Sequence, residues 1–276
     1  MNSYETIRIE HEGPLTWIVL NRPEAANSLT VQMLNELSAA LEALKTEGGP
    51  VLAIRGDGKG FCAGMALDQY GGGGKGGDPV ADRDRLAGNV NRWLAIWDHP
   101  KPVIAAVHGY CMAVGSQMIC FTDITIVTED CKIGEPTVPI GGGFIAPVWS
   151  TLVGPKRAKE MAFVAGNTID GKTAVEWGLA NHAVPPERLL DTVRELAAQI
   201  AMVPPDVLHI KKLAINRSAE AQGFRQAVQH GAEMDALLHL APSVIAVKDR
   251  IKEVGLKQVM AEYRTPSTMT LGKAAK

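Results

Sequence analysis

Two short glycine-bearing segments, Gly60-Phe61-Cys62-Ala63-Gly64-Met65 and Gly109-Tyr110-Cys111-Met112-Ala113-Val114-Gly115, constrain this chain more than any other stretch. Each follows a predicted strand and precedes a predicted helix, so each turn can aim a free backbone N–H into one shared pocket. Two convergent amides of this kind form an oxyanion hole. When an α-carbon becomes carbanion-like, or a carbonyl is attacked, charge develops on the carbonyl oxygen. Preorganised amides meet that charge without reorganising, and a helix dipole adds to the effect.

The surrounding pattern is that of an α/β fold. Thr6–Glu10 and Leu15–Leu20 read as strands around the turn His11-Glu12-Gly13-Pro14. Thr30 can cap a helix that carries Leu34, Leu37, Leu41 and Leu44 on one face, ended by Gly48-Gly49. Val51–Ile54 and Val103–Val107 are short apolar strands, with a helix over Arg85–Trp97 between them, stopped by Asp98-His99-Pro100-Lys101-Pro102. A helix is predicted over about Val114–Phe121 and a strand over Asp123–Val127. Alternation of this kind favours parallel pairing. Beyond Pro155 the segments Lys156–Ala165, Lys172–Trp177, Glu187–Met202, Pro205–Ser218, Phe224–Leu240 and Ser243–Val254 are helix-like. Pro204-Pro205 marks a joint, which divides the chain into a core over 1–200 and a helical region over 201–276.

Composition narrows the function classes. The net charge of −2 over 276 residues gives no reason to expect nucleic acid as a partner. Cys62, Cys111, Cys120 and Cys131 show no C-x-x-C pairing and no metal-ligand spacing with histidine, which favours buried, reduced thiols and no metal. Met1-Asn2-Ser3-Tyr4-Glu5 lacks the basic start and apolar run of a signal peptide. The apolar stretch from Val103 to Val127 is interrupted by His108, Gln117 and Asp123 and reads as strand–helix–strand rather than a membrane span. A soluble, cytoplasmic protein is expected. The loop Gly71–Gly77 has no Gly-Lys-Ser/Thr ending and no strand directly before it, so it is read as a linker that can shape or cover a pocket, not as a phosphate cradle.

The order of several segments resembles the crotonase (enoyl-CoA hydratase/isomerase) superfamily over nearly the whole chain. They are Asn21-Arg22-Pro23-Glu24-Ala25-Ala26-Asn27, Gly60–Met65, Pro100-Lys101-Pro102 through His108-Gly109, Gly134-Glu135-Pro136, and Gly154-Pro155-Lys156-Arg157-Ala158 through Trp177-Gly178-Leu179-Ala180. The resemblance implies a spiral of β-β-α repeats followed by helices that build homotrimers, often paired into hexamers. It implies a coenzyme A thioester as substrate, with no separate cofactor. By position, the oxyanion donors are the amides of Met65 and Val114. Arg22 is implied as a phosphate contact, the backbone around Ala25, Ala26 and Ala63 as the adenine and pantetheine site, and Arg264 as a basic residue reaching CoA from a neighbouring subunit. Asp68, three residues after the first donor, is placed at the pocket entrance.

The chain departs from the family pattern where the chemistry is usually done. Ala113 and Val114 stand where glycines are usual. Gln117 and Thr137 correspond to the two hydratase glutamates that hold and activate water. A general base must accept a proton near neutral pH; glutamine cannot, and threonine is a poor base. Glu135 is a candidate substitute, with Pro136 leaving its direction open. His108 is read as a hydrogen-bonding residue beside the site and His99 as a helix cap. The run Pro139-Ile140-Gly141-Gly142-Gly143-Phe144 offers a non-acidic pocket wall, to which Trp93, Trp97 and Trp149 can add if they are not core. The resulting expectation is a CoA-thioester enzyme that stabilises an enolate without ordinary two-glutamate hydration. The rival readings are a decarboxylase or C–C bond hydrolase of the same fold, including hydrolysis of a β-dicarbonyl compound without CoA, and a non-catalytic acyl-CoA-binding subunit.

Overall fold

The computed structural model describes residues 4–67, 78–135, 138–141 and 145–263. The chain opens with β1 (Ile7–Glu12) and β2 (Leu15–Leu20), an antiparallel hairpin in register from Ile7–Leu20 to Glu12–Leu15. Gly13 makes the turn at φ +56°. Helix α1 (Val31–Ala43) follows, and the Thr30 hydroxyl accepts the Met33 amide at 3.1 Å as its cap. Leu34, Leu37, Leu41 and Leu44 are all buried, as their spacing predicts.

Next come β3 (Val51–Gly56), α2 (Pro79–Trp97), β4 (Val103–Val107), β5 (Tyr110–Met112) and the short α3 (Val114–Met118). A 3-10 turn over Ile119–Phe121 leads into β6 (Ile124–Thr128) and β7 (Lys132–Gly134). Helices α4 (Ile145–Val153) and α5 (Pro155–Phe163) precede β8 (Thr168–Ile169), α6 (Gly171–Trp177) and β9 (His182–Val184). The rest is helical: α7 (Leu189–Ile200), α8 (Pro205–Ala221), α9 (Phe224–His239), α10 (Pro242–Val254) and α11 (Leu256–Glu262).

Two sheets result. The larger runs β1-β2-β3-β4-β6-β9, with every pairing after the first hairpin parallel; the smaller runs β5-β7-β8. Strands β2, β3 and β4 are buried almost throughout because both faces are covered, the usual condition of a parallel sheet. On one face Ile18, Leu20, Leu52, Ile54 and Ala105 join the main core with α1 and α2. On the other, Trp17, Val19, Ala53 and Ala106 pack under Leu189, Val193 and Ala197 of α7. Strand alternation decides which residue goes where.

Several sequence expectations need correction. The helix expected from Arg85 begins at Pro79, because the Asp78 carboxylate accepts the amides of Val80 and Ala81 and proline is tolerated in the first turn. The helix expected over Val114–Phe121 is α only to Met118 and tightens to 3-10 after it. Strands β5 and β7 and helix α4 were not anticipated; β5 and β7 are three residues each, too short for a period to register. His99 does not cap α2. It is buried, and its Nε2 lies 3.1 Å from the carbonyl oxygen of Leu41 near the end of α1. Burial and the charge of Lys212 push its imidazole down to about 4, so it links the helices uncharged. Trp93 and Trp149 are core residues, and Trp97 stacks on Phe224 at 4.2 Å.

The helical C-terminal region is tied into the sheet-bearing part. Lys212 of α8 donates to Asp123 at 2.7 Å and to the carbonyls of Ile96 and Lys101. Phe224, Val228 and Ala232 of α9 belong to the main core. All four cysteines are free and buried, and among the described residues no helix is long and apolar enough to cross a membrane.

Replacing Phe224 by alanine removes the stacking partner of Trp97 and opens a cavity in the main core. Stability in urea unfolding is expected to fall by about 3–5 kcal/mol in one transition, whereas a helical region folding by itself would show two transitions.

Candidate active site

The two glycine-bearing turns lie side by side. Cys62 and Cys111 form an isolated parallel bridge; the Met112 amide donates to the Cys62 carbonyl at 2.8 Å, and the Cys62 amide to the Tyr110 carbonyl at 3.1 Å. Gly115 is required by this approach, since a Cβ there would meet the Cys62 Cβ at 2.9 Å. Gly64, at φ +104°, faces the second turn: a Cβ on it would lie 2.9 Å from the Ala113 Cβ and 3.9 Å from the Val114 nitrogen.

Both expected donor amides are available. Leu29 pairs with Met65, its amide donating to the Gly64 carbonyl while its own carbonyl accepts from Ala66. The Met65 amide therefore points the other way, because strand amides alternate. Val114 is the first residue of α3, and the Ala113 carbonyl is used by the amides of Ser116 and Gln117. Neither Met65 N–H nor Val114 N–H has an acceptor among the described residues. Val114 opens α3, which is a single turn, so at this position the directed amide rather than a long helix dipole is what the fold offers to an anion.

Ala113 carries the conformational cost. It sits at φ 51°, ψ −123°, a region glycine favours. Non-glycine residues held in such regions cost about 1–3 kcal/mol, and such strain clusters at functional sites. Here it turns the chain between the Ala113 amide, which donates to Gly134 at 2.8 Å, and the Val114 amide. Valine at 114 causes no further difficulty because its backbone is helical.

Of the predicted side chains, Gln117 is buried three residues beyond Val114, on the same face of α3. Glu135 directly follows Gly134, whose carbonyl receives the Ala113 amide, so it lies one residue from the anion-binding turn. It is 7% exposed, and its Oε1 has no hydrogen-bond partner. Burial and the facing charge of Asp235 push its carboxyl up to about 8. Thr137, Asp68, Arg264 and the Gly71–Gly77 loop lie outside the described residues, as do Gly142-Gly143-Phe144.

The first motif is brought to the same place. The Ala63 amide donates to the Ala26 carbonyl at 3.1 Å, which joins two of the expected CoA-contacting backbones. Ala63 is exposed, and Ala25 and Ala26 are half-buried. Arg22 donates through Nη1 to the Ser28 carbonyl at 2.8 Å and makes no salt bridge among the described residues, which leaves its charge available to an anion. Asn27, the last residue of this motif, has a structural part that its sequence position does not signal. It is fully buried at φ 52°, accepts the Arg22 amide, and donates to the carbonyls of Asp57 and Gly60 at 2.8 and 3.0 Å. It therefore bolts the motif to the loop that carries the first donor. His108 behaves as expected of a positioning residue, with Nε2 2.9 Å from the Gly58 carbonyl.

A mixed polar cluster behind the site was not anticipated. Asp235 and His239 are four residues apart on α9, with Lys248 on the next helix, α10; Asp82 of α2 is distant in sequence and joins them through helix packing. A separate groove of about 570 Å³ between α6, β9 and α7, lined by Asn181, His182, Thr192 and Glu195 among others, contains none of the site residues.

The mixed α/β fold, with its helical C-terminal region and two abutting glycine-bearing turns, points to one enzyme family. The family model for enoyl-CoA hydratase/isomerase matches residues 10–241, and the chain belongs to that family, the crotonase superfamily. A Rhizobium meliloti protein given as a probable enoyl-CoA hydratase is 32% identical, over 81% of this chain and 87% of its own. The hydroxycinnamoyl-CoA hydratase-lyase of Pseudomonas fluorescens is 28% identical, over 80% of this chain and 83% of its own. A Novosphingobium aromaticivorans crystal structure described as of enoyl-CoA hydratase/isomerase type is 47% identical, covers 95% of this chain and 96% of its own, and superposes with a TM-score of 0.92.

Two outcomes are expected. Asn27→Ala leaves two buried carbonyls without a donor and should lower stability by about 2–4 kcal/mol in urea unfolding. Glu135 retains a proton in the folded state that the unfolded chain releases near 4.5, so its contribution lowers stability as pH rises from there to about 8. Glu135→Gln removes that slope: relative to its difference from the parent below about pH 4.5, the variant should gain on the parent progressively from there to about pH 8.

Proposed function

We propose that this enzyme acts on an acyl-CoA thioester, holds its carbonyl oxygen between the amides of Met65 and Val114, and generates an enolate by breaking a bond to the α-carbon rather than by two-glutamate hydration. The observation that carries this reading is the pair of abutting turns, each with an amide that has no described acceptor, beside a buried glutamine one helical turn on.

The two halves of the reading have different supports. CoA-ester binding is supported by membership of the family, by Arg22 without a carboxylate partner, and by the joined Ala26 and Ala63 backbones. The departure from hydration is supported by residue chemistry. Adding water across a double bond needs groups that orient the water and move its proton, and Gln117 can orient but not take a proton. Loss of carbon dioxide, or cleavage of a C–C bond at the α-carbon, places its electron pair on the thioester oxygen directly. Removing one donor from such a hole typically costs about 10²–10³-fold in rate, so a hole alone supplies a large share of the acceleration. The name of the Pseudomonas relative pairs a lyase with a hydratase activity on a CoA ester, so reactions beyond hydration occur at this distance in sequence.

Incubation with enoyl-, β-keto- and malonyl-type CoA esters, with products read by mass spectrometry, tests the reading. Cleavage or decarboxylation products are expected from the last two classes and little hydration of crotonyl-CoA. Gln117→Glu combined with Thr137→Glu should gain hydration. Rapid hydration of crotonyl-CoA by the parent would overturn the proposal, and saturable CoA-ester binding without any product would favour a binding subunit instead.

A further inference from the structure

An enolate formed at this site must receive a proton on its α-carbon, and the groups expected to handle protons in this fold are absent. Glu135 is the acid nearest to the anion-binding turn by backbone connection: Gly134 pairs with Met112 and accepts the Ala113 amide. Its carboxyl is more than nine-tenths buried, with Oε1 unpartnered, and it has no salt bridge among the described residues. A structural carboxylate in that position would be paired or hydrogen-bonded, because an unpaired buried charge is expensive. A neutral carboxyl group fits the surroundings.

The groups around it come from three helices. Asp235 of α9 is the charge that acts on Glu135. Behind it, His239 Nε2 lies 4.0 Å from Asp235 Oδ1, and His239 Nδ1 lies 2.6 Å from Asp82 Oδ2 of α2. Arg85 pairs with Asp82 at 2.5 Å, so positive charge is committed to Asp82. Lys248 of α10 reaches toward Asp82 and Asp235, and burial pulls its ammonium group down. Gly141 lies against this cluster; a Cβ there would come within 3.2 Å of His239 Nε2 and 3.3 Å of Asp235 Oδ1. The segment at 138–141 is thus seated on Asp235 and His239, which fixes them behind the loop.

We propose that Glu135 is the proton donor of this enzyme, delivering the proton of its buried, unpartnered carboxyl group to the α-carbon of the CoA-ester enolate, with Asp235, seated behind the 138–141 segment, as a positioning residue. This rests on the enolate reading above and adds a residue to it. For an α-carboxylated acyl-CoA the atoms balance as follows. The bond from the α-carbon to the carboxylate breaks, its electron pair passes to the α-carbon and thioester oxygen, and carbon dioxide leaves. The Glu135 O–H bond then breaks, its proton bonds to the α-carbon, and the thioester carbonyl re-forms. Glu135 is left as a carboxylate and regains a proton from water. The elevated carboxyl of Glu135, which holds its proton at neutral pH, accords with this role.

Run in reverse, the same step exchanges an α-proton of a saturated ester. With butyryl-CoA in heavy water, the parent enzyme should incorporate deuterium at the α-carbon, read by mass spectrometry. Glu135→Gln should slow incorporation by about 10²-fold or more, with butyryl-CoA affinity unchanged by calorimetry. Exchange begins from the Glu135 carboxylate, so its rate should climb with pH through the region near 8. Asp235→Asn should move that climb to lower pH, a shift that loss of packing alone does not produce. Exchange at the parental rate in Glu135→Gln overturns the proposal and leaves the enolate reading standing. An unmoved profile in Asp235→Asn overturns the role given to Asp235. Tight butyryl-CoA binding by the parent with no exchange overturns the role given to Glu135 and leaves the enolate reading standing, since loss of carbon dioxide needs no proton abstraction; that reading falls only if no cleavage or decarboxylation product forms.

Discussion

The contact on which the rest of the site depends is the parallel bridge between Cys62 and Cys111. It brings two segments about fifty residues apart in sequence to backbone hydrogen-bond distance, and every later element of the site is referenced to it. The second turn then passes the constraint on, because the Ala113 amide bonds to Gly134 and so fixes where Glu135 begins. The first turn passes it the other way, through Ala63 and Ala26 to the Arg22 motif. One pairing thereby sets the relative position of the two glycine-bearing turns, the Arg22 motif and the buried acid. Small buried side chains suit this junction. Burial keeps the Cys62 thiol protonated, pushed up to about 12, so it packs as a small apolar group and not as a nucleophile.

Much of this was legible in the residue pattern, and the limits have physical causes. Strands β2 and β4 announce themselves because both faces of a parallel sheet are buried, which leaves uninterrupted apolar runs. The donor turns were visible because close backbone approach demands glycine, as at Gly64 and Gly115. The buried cluster of Asp82, Asp235, His239 and Lys248 was not, since its members sit on three helices: the i,i+4 spacing of Asp235 and His239 looks like any solvated helix pair until Asp82, about 150 residues earlier, is packed against it. Glu135 was identifiable only as a candidate: its environment is made by α9, a hundred residues away in sequence. Asn27 was hidden for a different reason. A buried asparagine in a loop looks like turn chemistry until its partners at Asp57 and Gly60 are seen.

Helix α9 has two jobs along one face. Phe224, Val228 and Ala232 fill the core, and on the same stripe, nearer its C-terminal end, Asp235 and His239 face the polar cluster. The placement of those charges is therefore inherited from apolar packing elsewhere on the same helix. A rigid helix transmits a shift at Phe224 to Asp235, so the electrostatic surroundings of Glu135 and the packing of the core are not independent quantities in this protein.

The facing pair Gly64 and Ala113 has an evolutionary corollary. The Ala113 methyl occupies the space a side chain on Gly64 would need, at 2.9 Å, while Ala113 itself holds a backbone shape that suits glycine. Position 64 is closed twice over: its backbone, at φ +104°, disfavours any side chain, and the Ala113 methyl fills the space one would need. A change from alanine to glycine at 113 relaxes the chain there but lifts only the second of these bars, so position 64 is confined to glycine whichever residue stands opposite.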